Sequence, residues 1–142
     1  MPIRKSILSD HTVISKLLTD LGYPNANGFV EKKLQQLINH NSAAVYVYEL
    51  DGMVVGFIAI DIMLQLGLKG DILRINYLAV DEKYRSQGIG KELDEYVAAI
   101  AFQKNCDRIE VHCHERRTQA HPFYKRQGYT ESPKYFIKAI PK

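Results

Sequence analysis

Leu78-Ala79-Val80-Asp81-Glu82-Lys83-Tyr84-Arg85-Ser86-Gln87-Gly88-Ile89-Gly90-Lys91-Glu92-Leu93 decides how this chain is read. An apolar strand closes at Val80. A small polar loop bearing Gly88 and Gly90 follows. Leu93, Val97, Ile100 and Ala101 then recur at helical spacing. Amides at a helix start have no internal partners and carry partial positive charge, so such a loop is suited to phosphate. Gly88 and Gly90 lack a Cβ and let an anion approach the backbone. Arg85 and Lys91 add charge at the rim. The loop is not a nucleotide P-loop, because Glu92 stands where Ser or Thr is needed. It is not a dinucleotide fingerprint either, since the third glycine is missing. The plain alternative is a helix start where glycine relieves packing against a sheet.

Upstream, Ile3 to Leu8 reads as a short strand, and Ser9 and Asp10 as helix caps. Val13, Ile14, Leu17, Leu18 and Leu21 form one helical face, stopped by Gly22 and Pro24. A second helix starts near Asn27, with Phe29, Val30, Leu34, Leu37 and Ile38 on one face, and breaks at His40-Asn41-Ser42. Ala43 to Leu50 and Met53 to Met63 read as strands joined by the hairpin signal Asp51-Gly52. Ile72 to Val80 is a third long strand. Downstream come a strand from Arg108 to His114, a helix from Thr118 to Gln127 closed by Gly128, and a strand from Tyr129 to Ile140. The order β-α-α-β-β-β-α-β-α-β predicts an α/β (α+β) fold. It has a mixed central β-sheet of about six to seven strands flanked by about four helices.

Composition bounds the function. The chain has 142 residues, a size expected of one domain, residues 1–142. It is 46% hydrophobic and 25% charged with 9 Gly and 5 Pro, which excludes disordered and collagen-like chains. The longest apolar stretch, Met53 to Leu68, is interrupted by Gly56, Asp61, Gln65 and Gly67, so no membrane span is expected. Met1-Pro2-Ile3-Arg4-Lys5 has no signal-peptide core. Cys106 and Cys113 make no disulfide framework, so a cytoplasmic protein with reduced thiols is expected. The net charge of +3 contains no long run of one sign, so nucleic acid is not the expected partner, although the pI is near 8.8.

Two segments together resemble the GNAT superfamily of acetyl-CoA-dependent N-acetyltransferases. The first is Arg85-Ser86-Gln87-Gly88-Ile89-Gly90 after its strand, similar to the Gln/Arg-x-x-Gly-x-Gly/Ala motif. The second is Ala120-His121-Pro122-Phe123-Tyr124-Lys125-Arg126-Gln127-Gly128-Tyr129, similar to Ala-x-x-Phe-Tyr-x-x-x-Gly-Phe/Tyr. The element order also follows that fold. The resemblance implies a bulged strand that splays from its neighbour. It implies that the pantetheine arm of acetyl-CoA, the co-substrate, pairs with Leu78, Ala79 and Val80. It implies that the pyrophosphate rests on Gln87, Gly88, Ile89, Gly90 and Lys91, with Arg85 beside them. An amide near Leu78 or Ala79, freed by the bulge, would serve the oxyanion.

Tyr124 matches the family's general acid, a phenol of pKa about 10 able to protonate a thiolate of pKa about 8.5. Many relatives carry Glu where this chain has Asn76, which can orient a water or an ammonium but not act as a base. Glu110, His112 and His114 alternate on one strand face and are the replacement bases, His112 foremost. His112-x-His114 without a cysteine pair does not make a metal site. Arg116 and Arg117 stand near the CoA phosphate or in solvent. The family places its acceptor pocket in the segment Leu21 to Asn41, where Tyr23, Asn25, Asn27 and Phe29 are candidates. Tyr48 and Tyr77 are further candidate walls. The expected partners are acetyl-CoA and a primary amine of a small molecule or peptide, with no nucleic acid and no membrane. A chain this short builds its acceptor site from short loops or shares it in a homodimer. The alternative is a non-catalytic acyl-CoA-binding module, motivated by Asn76.

Overall fold

The computed structural model describes residues 2–112, 120–132 and 135–142. They divide between two compact units, one reaching to His112 and one following it. The first holds β1 (Ile3–Lys5), α1 (His11–Leu21), α2 (Val30–Ile38), β2 (Ala43–Leu50), β3 (Met53–Met63), β4 (Asp71–Val80), α3 (Ile89–Gln103) and β5 (Cys106–Val111). The second holds α4 (Ala120–Arg126). Short 3₁₀ turns fill Leu8–Asp10, Ala26–Gly28 and Glu82–Tyr84.

The sheet runs β1-β2-β3-β4-β5. Its first three pairings are antiparallel and β4 pairs with β5 in parallel. The mixed sheet and the four helices match expectation. The strand count does not: five strands are present among the described residues, against the expected six to seven. The difference lies in the segment from Tyr129 to Ile140. Residues 129–132 and 135–142 form no strand, and Tyr135, Phe136, Ile137 and Ile140 are exposed. Alternating side chains suit a half-buried strand, but a strand forms only where its backbone groups meet a partner.

Where local chemistry and burial agree, boundaries follow the sequence. Asp51 and Gly52 both have positive φ, 51° and 78°, as the tightest hairpin turn requires. β3 is buried without a break from Val55 to Ile60. That reflects a sheet covered on both faces. On one face, Ile14 and Leu17 of α1 and Val30 and Leu34 of α2 pack on Val45, Val47, Phe57, Ala59 and Ala79. On the other, α3 buries Leu93, Val97 and Ala101.

One ion-pair cluster ties β1 to the start of α1. Arg4 donates to both oxygens of Asp10, at 2.9 and 3.1 Å, and through Nε to Glu49 at 3.0 Å. The Ile7 amide donates to the same carboxylate at 2.8 Å. Burial alone would push the Asp10 carboxyl up. The Arg4 hydrogen bonds, the Ile7 amide and the Arg4 charge outweigh it and hold the carboxyl below the usual 3.8. Its stabilisation is therefore fully present above pH 3.8 and lost as pH falls through the lower folded value. Asp10→Asn should cost about 2 kcal/mol near neutrality. In urea unfolding, the gap from the parent protein should close in acid below pH 3.8; a gap unchanged by pH would refute the assignment.

Candidate active site

The site is built on an irregularity in β4. Ala59 of β3 lies opposite Tyr77, and the next residue, Ile60, lies opposite Ile75. Asn76 therefore has no counterpart and forms a bulge. β5 accompanies β4 only from Asp71 to Ile75, the last pair being Ile75 with Val111. From Asn76 to Val80, the second edge of β4 has no partner strand among the described residues. The Asp81 amide donates to the Val55 carbonyl at 2.7 Å. Backbone direction alternates along a strand, so Ala79 also turns to β3, while Leu78 and Val80 turn their polar groups to the open edge. The Val80 carbonyl receives only a long bond from Arg85 Nε, 3.4 Å.

The loop begins with Asp81, whose side chain accepts from the Lys83 amide at 2.9 Å. Ser86 and Gly88 both adopt left-handed backbone, φ 64° and 82°. Gly88 caps α3, and the first bond of the helix runs from the Glu92 amide to the Gly88 carbonyl at 3.0 Å. The amides of Ile89, Gly90 and Lys91 precede that bond and have no place in the helical ladder. A Cβ on Gly88 would meet nothing within 4 Å, so backbone conformation, not crowding, calls for glycine there. Crowding acts instead at Gly56 on β3. A Cβ at that position would lie 3.1 Å from the Ala79 carbonyl oxygen and 3.5 Å from Ile89 Cγ2. Gly56 thus leaves room for the Ala79 carbonyl of β4, with Ile89 of α3 at ordinary contact distance. Tyr48 does not wall a pocket; its hydroxyl donates to Glu92 at 2.7 Å and ties β2 to α3. That bond, with burial second, pushes the phenol's pKa up. Of the rim cations, Lys91 leans toward Glu95, 3.9 Å away, and Arg85 toward β4.

The expected catalytic residues are placed unevenly. Asn76 is exposed on the bulge. His112 directly follows β5, and its Nδ1 lies 2.7 Å from Arg74. A guanidinium only donates, so in this contact Nδ1 is the acceptor and Nε2 carries the ring proton. Glu110 accepts two bonds from Arg108 on its own strand, at 3.0 and 2.9 Å. Arg74, opposite Glu110 in register and with a buried Nε that has no hydrogen-bond partner among the described residues, escaped the sequence reading. Its only signal was a cation inside a long apolar strand. Tyr124 lies in the second unit, buried on α4, with its ring edge-on to Phe123 and Tyr129. Cys113, His114, Arg116 and Arg117 lie outside the described residues.

A cavity of about 460 Å³ opens between α1, the segment leading to α2, α2 and the sheet. Tyr23, Asn25 and Phe29 line it as expected, together with Lys33, Ala59 and Tyr77; Asn27 does not. Tyr23 and Tyr77 meet edge-on, centroids 5.3 Å apart.

The model of the acetyltransferase (GNAT) family matches residues 12–129, and the chain belongs to that family. An uncharacterized N-acetyltransferase of Chlorobaculum tepidum is 28% identical over 139 residues, 97% of this chain and 81% of that protein. The aminoalkylphosphonate N-acetyltransferase of Salmonella typhimurium is 33% identical over 90 residues, 63% of this chain and 58% of that enzyme. A transcriptional regulator from Bacillus halodurans shares the fold, with a TM-score of 0.90 at 17% identity over 97% of this chain and 98% of that one. The chain is an acyltransferase that moves an acetyl group onto an amine.

Gly88→Trp puts a large side chain on the loop at a left-handed position. Calorimetric titration should show acetyl-CoA affinity falling at least about tenfold, which is about 1.4 kcal/mol. Helical circular dichroism should be retained. Unchanged affinity would refute the loop as the phosphate site.

Proposed function

We propose that acetyl-CoA lies along the open edge of β4 and that an amine attacks it at the bulge. The single observation that carries this reading is a strand edge that has no partner strand among the described residues and runs directly into helix amides outside the helical ladder. A pantetheine arm is itself a chain of secondary amides and matches the exposed groups of Leu78 and Val80. The pyrophosphate then rests on the loop from Gln87 to Lys91, with Arg85 at the side. An arm held so brings the thioester to Asn76 and Tyr77.

At that point the amine nitrogen forms a bond to the acyl carbon and the C–S bond breaks. Of the two amides considered for the oxyanion, Leu78's is favoured, because Ala79's turns to β3. Tyr124 returns a proton to the departing thiolate; its support is the Phe-Tyr position on α4 that the family motif marks. The amine's proton leaves through water held by Asn76. The Salmonella relative's named acceptor is a small aminoalkylphosphonate, which supports a small-molecule amine here as well. The family match crosses both compact units, which supports one acetyltransferase domain over the chain. Two cysteines without a disulfide framework support a cytoplasmic protein.

Thiol release from acetyl-CoA across a panel of amines tests the reaction. Tyr124→Phe should lower kcat by about 10²-fold or more, the usual scale of general-acid catalysis, with acetyl-CoA affinity unchanged. Equal turnover would remove Tyr124 from the acid role. With no protein base at the bulge, kcat/KM should rise about tenfold per pH unit toward the free amine's own pKa. A plateau near pH 6–7 would instead reveal a protein base, roughly where histidine titrates.

A further inference from the structure

We propose that the acceptor is a primary amine on an apolar body carrying no second positive charge, seated in the cavity beneath α1 and α2. This rests on the acetyl-transfer reading above and narrows its substrate.

Position along β4 makes the link. The phosphate loop lies beyond Val80, the open edge spans Leu78 to Val80, and the bulge is at Asn76. Tyr77 stands between edge and bulge and lines the cavity, as does Ala59, its direct partner on β3. The acyl end of a carrier laid on that edge therefore arrives where the cavity begins.

The cavity's chemistry then selects. At about 460 Å³ it suits a small molecule rather than a folded partner. Its depth is aliphatic and aromatic, from Leu18 and Leu37 to Val45 and Phe57. Three aromatics that line it stay partly open to solvent: Tyr23 at 47%, Phe29 at 54% and Tyr77 at 37% exposure. They offer apolar faces to whatever enters. Among the described residues, the one charged residue lining it is Lys33, and no Asp or Glu does. A dication would lose hydration there without gaining a counter-charge, and would meet Lys33 besides. An apolar body gains from leaving water.

The test is initial-rate thiol release from acetyl-CoA with methylamine, butylamine, hexylamine, 2-phenylethylamine, spermidine, kanamycin and 2-aminoethylphosphonate. Along the alkyl series kcat/KM should rise about fourfold per added methylene until the cavity is full. 2-Phenylethylamine should exceed spermidine and kanamycin by at least about tenfold, as expected where a second charge stays unpaired. Phe29→Ala should raise KM for 2-phenylethylamine while acetyl-CoA affinity stays put. Lys33→Glu, on an exposed helical position, should narrow the gap between 2-phenylethylamine and spermidine. A flat alkyl series overturns the proposal. So does a preference for spermidine, kanamycin or 2-aminoethylphosphonate over 2-phenylethylamine. Thiol release that favours the wrong amines sinks only this proposal. Absence of acetyl-CoA binding, or of thiol release with every amine, sinks the acetyl-transfer reading as well.

Discussion

The parting of β4 from β5 after Ile75 is the constraint on which the site depends. A strand inside a sheet normally satisfies its polar groups on both sides. Here Leu78 and Val80 turn theirs away from β3 by alternation and meet no strand on the other side among the described residues, where only a long bond from Arg85 reaches the Val80 carbonyl. The bulge at Asn76 adds local twist just where β5 falls away, and one irregularity thereby creates an edge inside the sheet. An edge of that kind attracts another extended chain. The carrier proposed above, an extended amide chain ending in phosphates, answers both this edge and the helix start beside it.

Holding the helix start at that edge has a conformational cost. Ser86 sits in left-handed backbone without being glycine, a strain of about 1–2 kcal/mol. It persists because the surroundings over-determine it. Ile89, the first residue of α3, is buried beside Gly56 of the sheet. Three residues later, Glu92 is tied to Tyr48 on β2. The two faces of the sheet thus divide the labour. α3 and its supports fix the loop on one face. α1 and α2 leave a cavity on the other, and β4 serves both.

Legibility in the sequence followed the range of the interactions. The β2–β3 hairpin was readable to the residue, because Asp51-Gly52 and two apolar strands are all local signals. The loop was readable because glycine in that position has few other uses. The bulge at Asn76 was not, since it exists only as a register shift against β3. By sequence Phe29 is assigned both to the apolar face of a helix and to the acceptor pocket; α2 begins one residue later, and Phe29 lines the cavity. Tyr48 and Arg74 owe their roles to residues 44 and 38 positions away. The segment from Tyr129 to Ile140 differs for the opposite reason: its local signal was clear, and among the described residues no partner strand answers it.

The missing carboxylate and the apolar cavity are two halves of one chemical solution. A relative with Glu at the bulge can remove the amine's proton directly. Asn76 cannot, and among the described residues the cavity lining offers no Asp or Glu. Burial in apolar surroundings, however, disfavours the charged form of an amine by itself. A lysine-like amine of pKa about 10.4 is neutral in only about one molecule in a few thousand near pH 7. A downward shift of one unit, well within what burial achieves, makes the neutral form about tenfold more abundant for about 1.4 kcal/mol. On the reading proposed above, the apolar walls that hold the acceptor's body also prepare its nitrogen. An acceptor with a second charge would keep water and protons around it and forfeit that effect. In that proposal, selection for an apolar body and reactivity without a protein base have one source, the cavity.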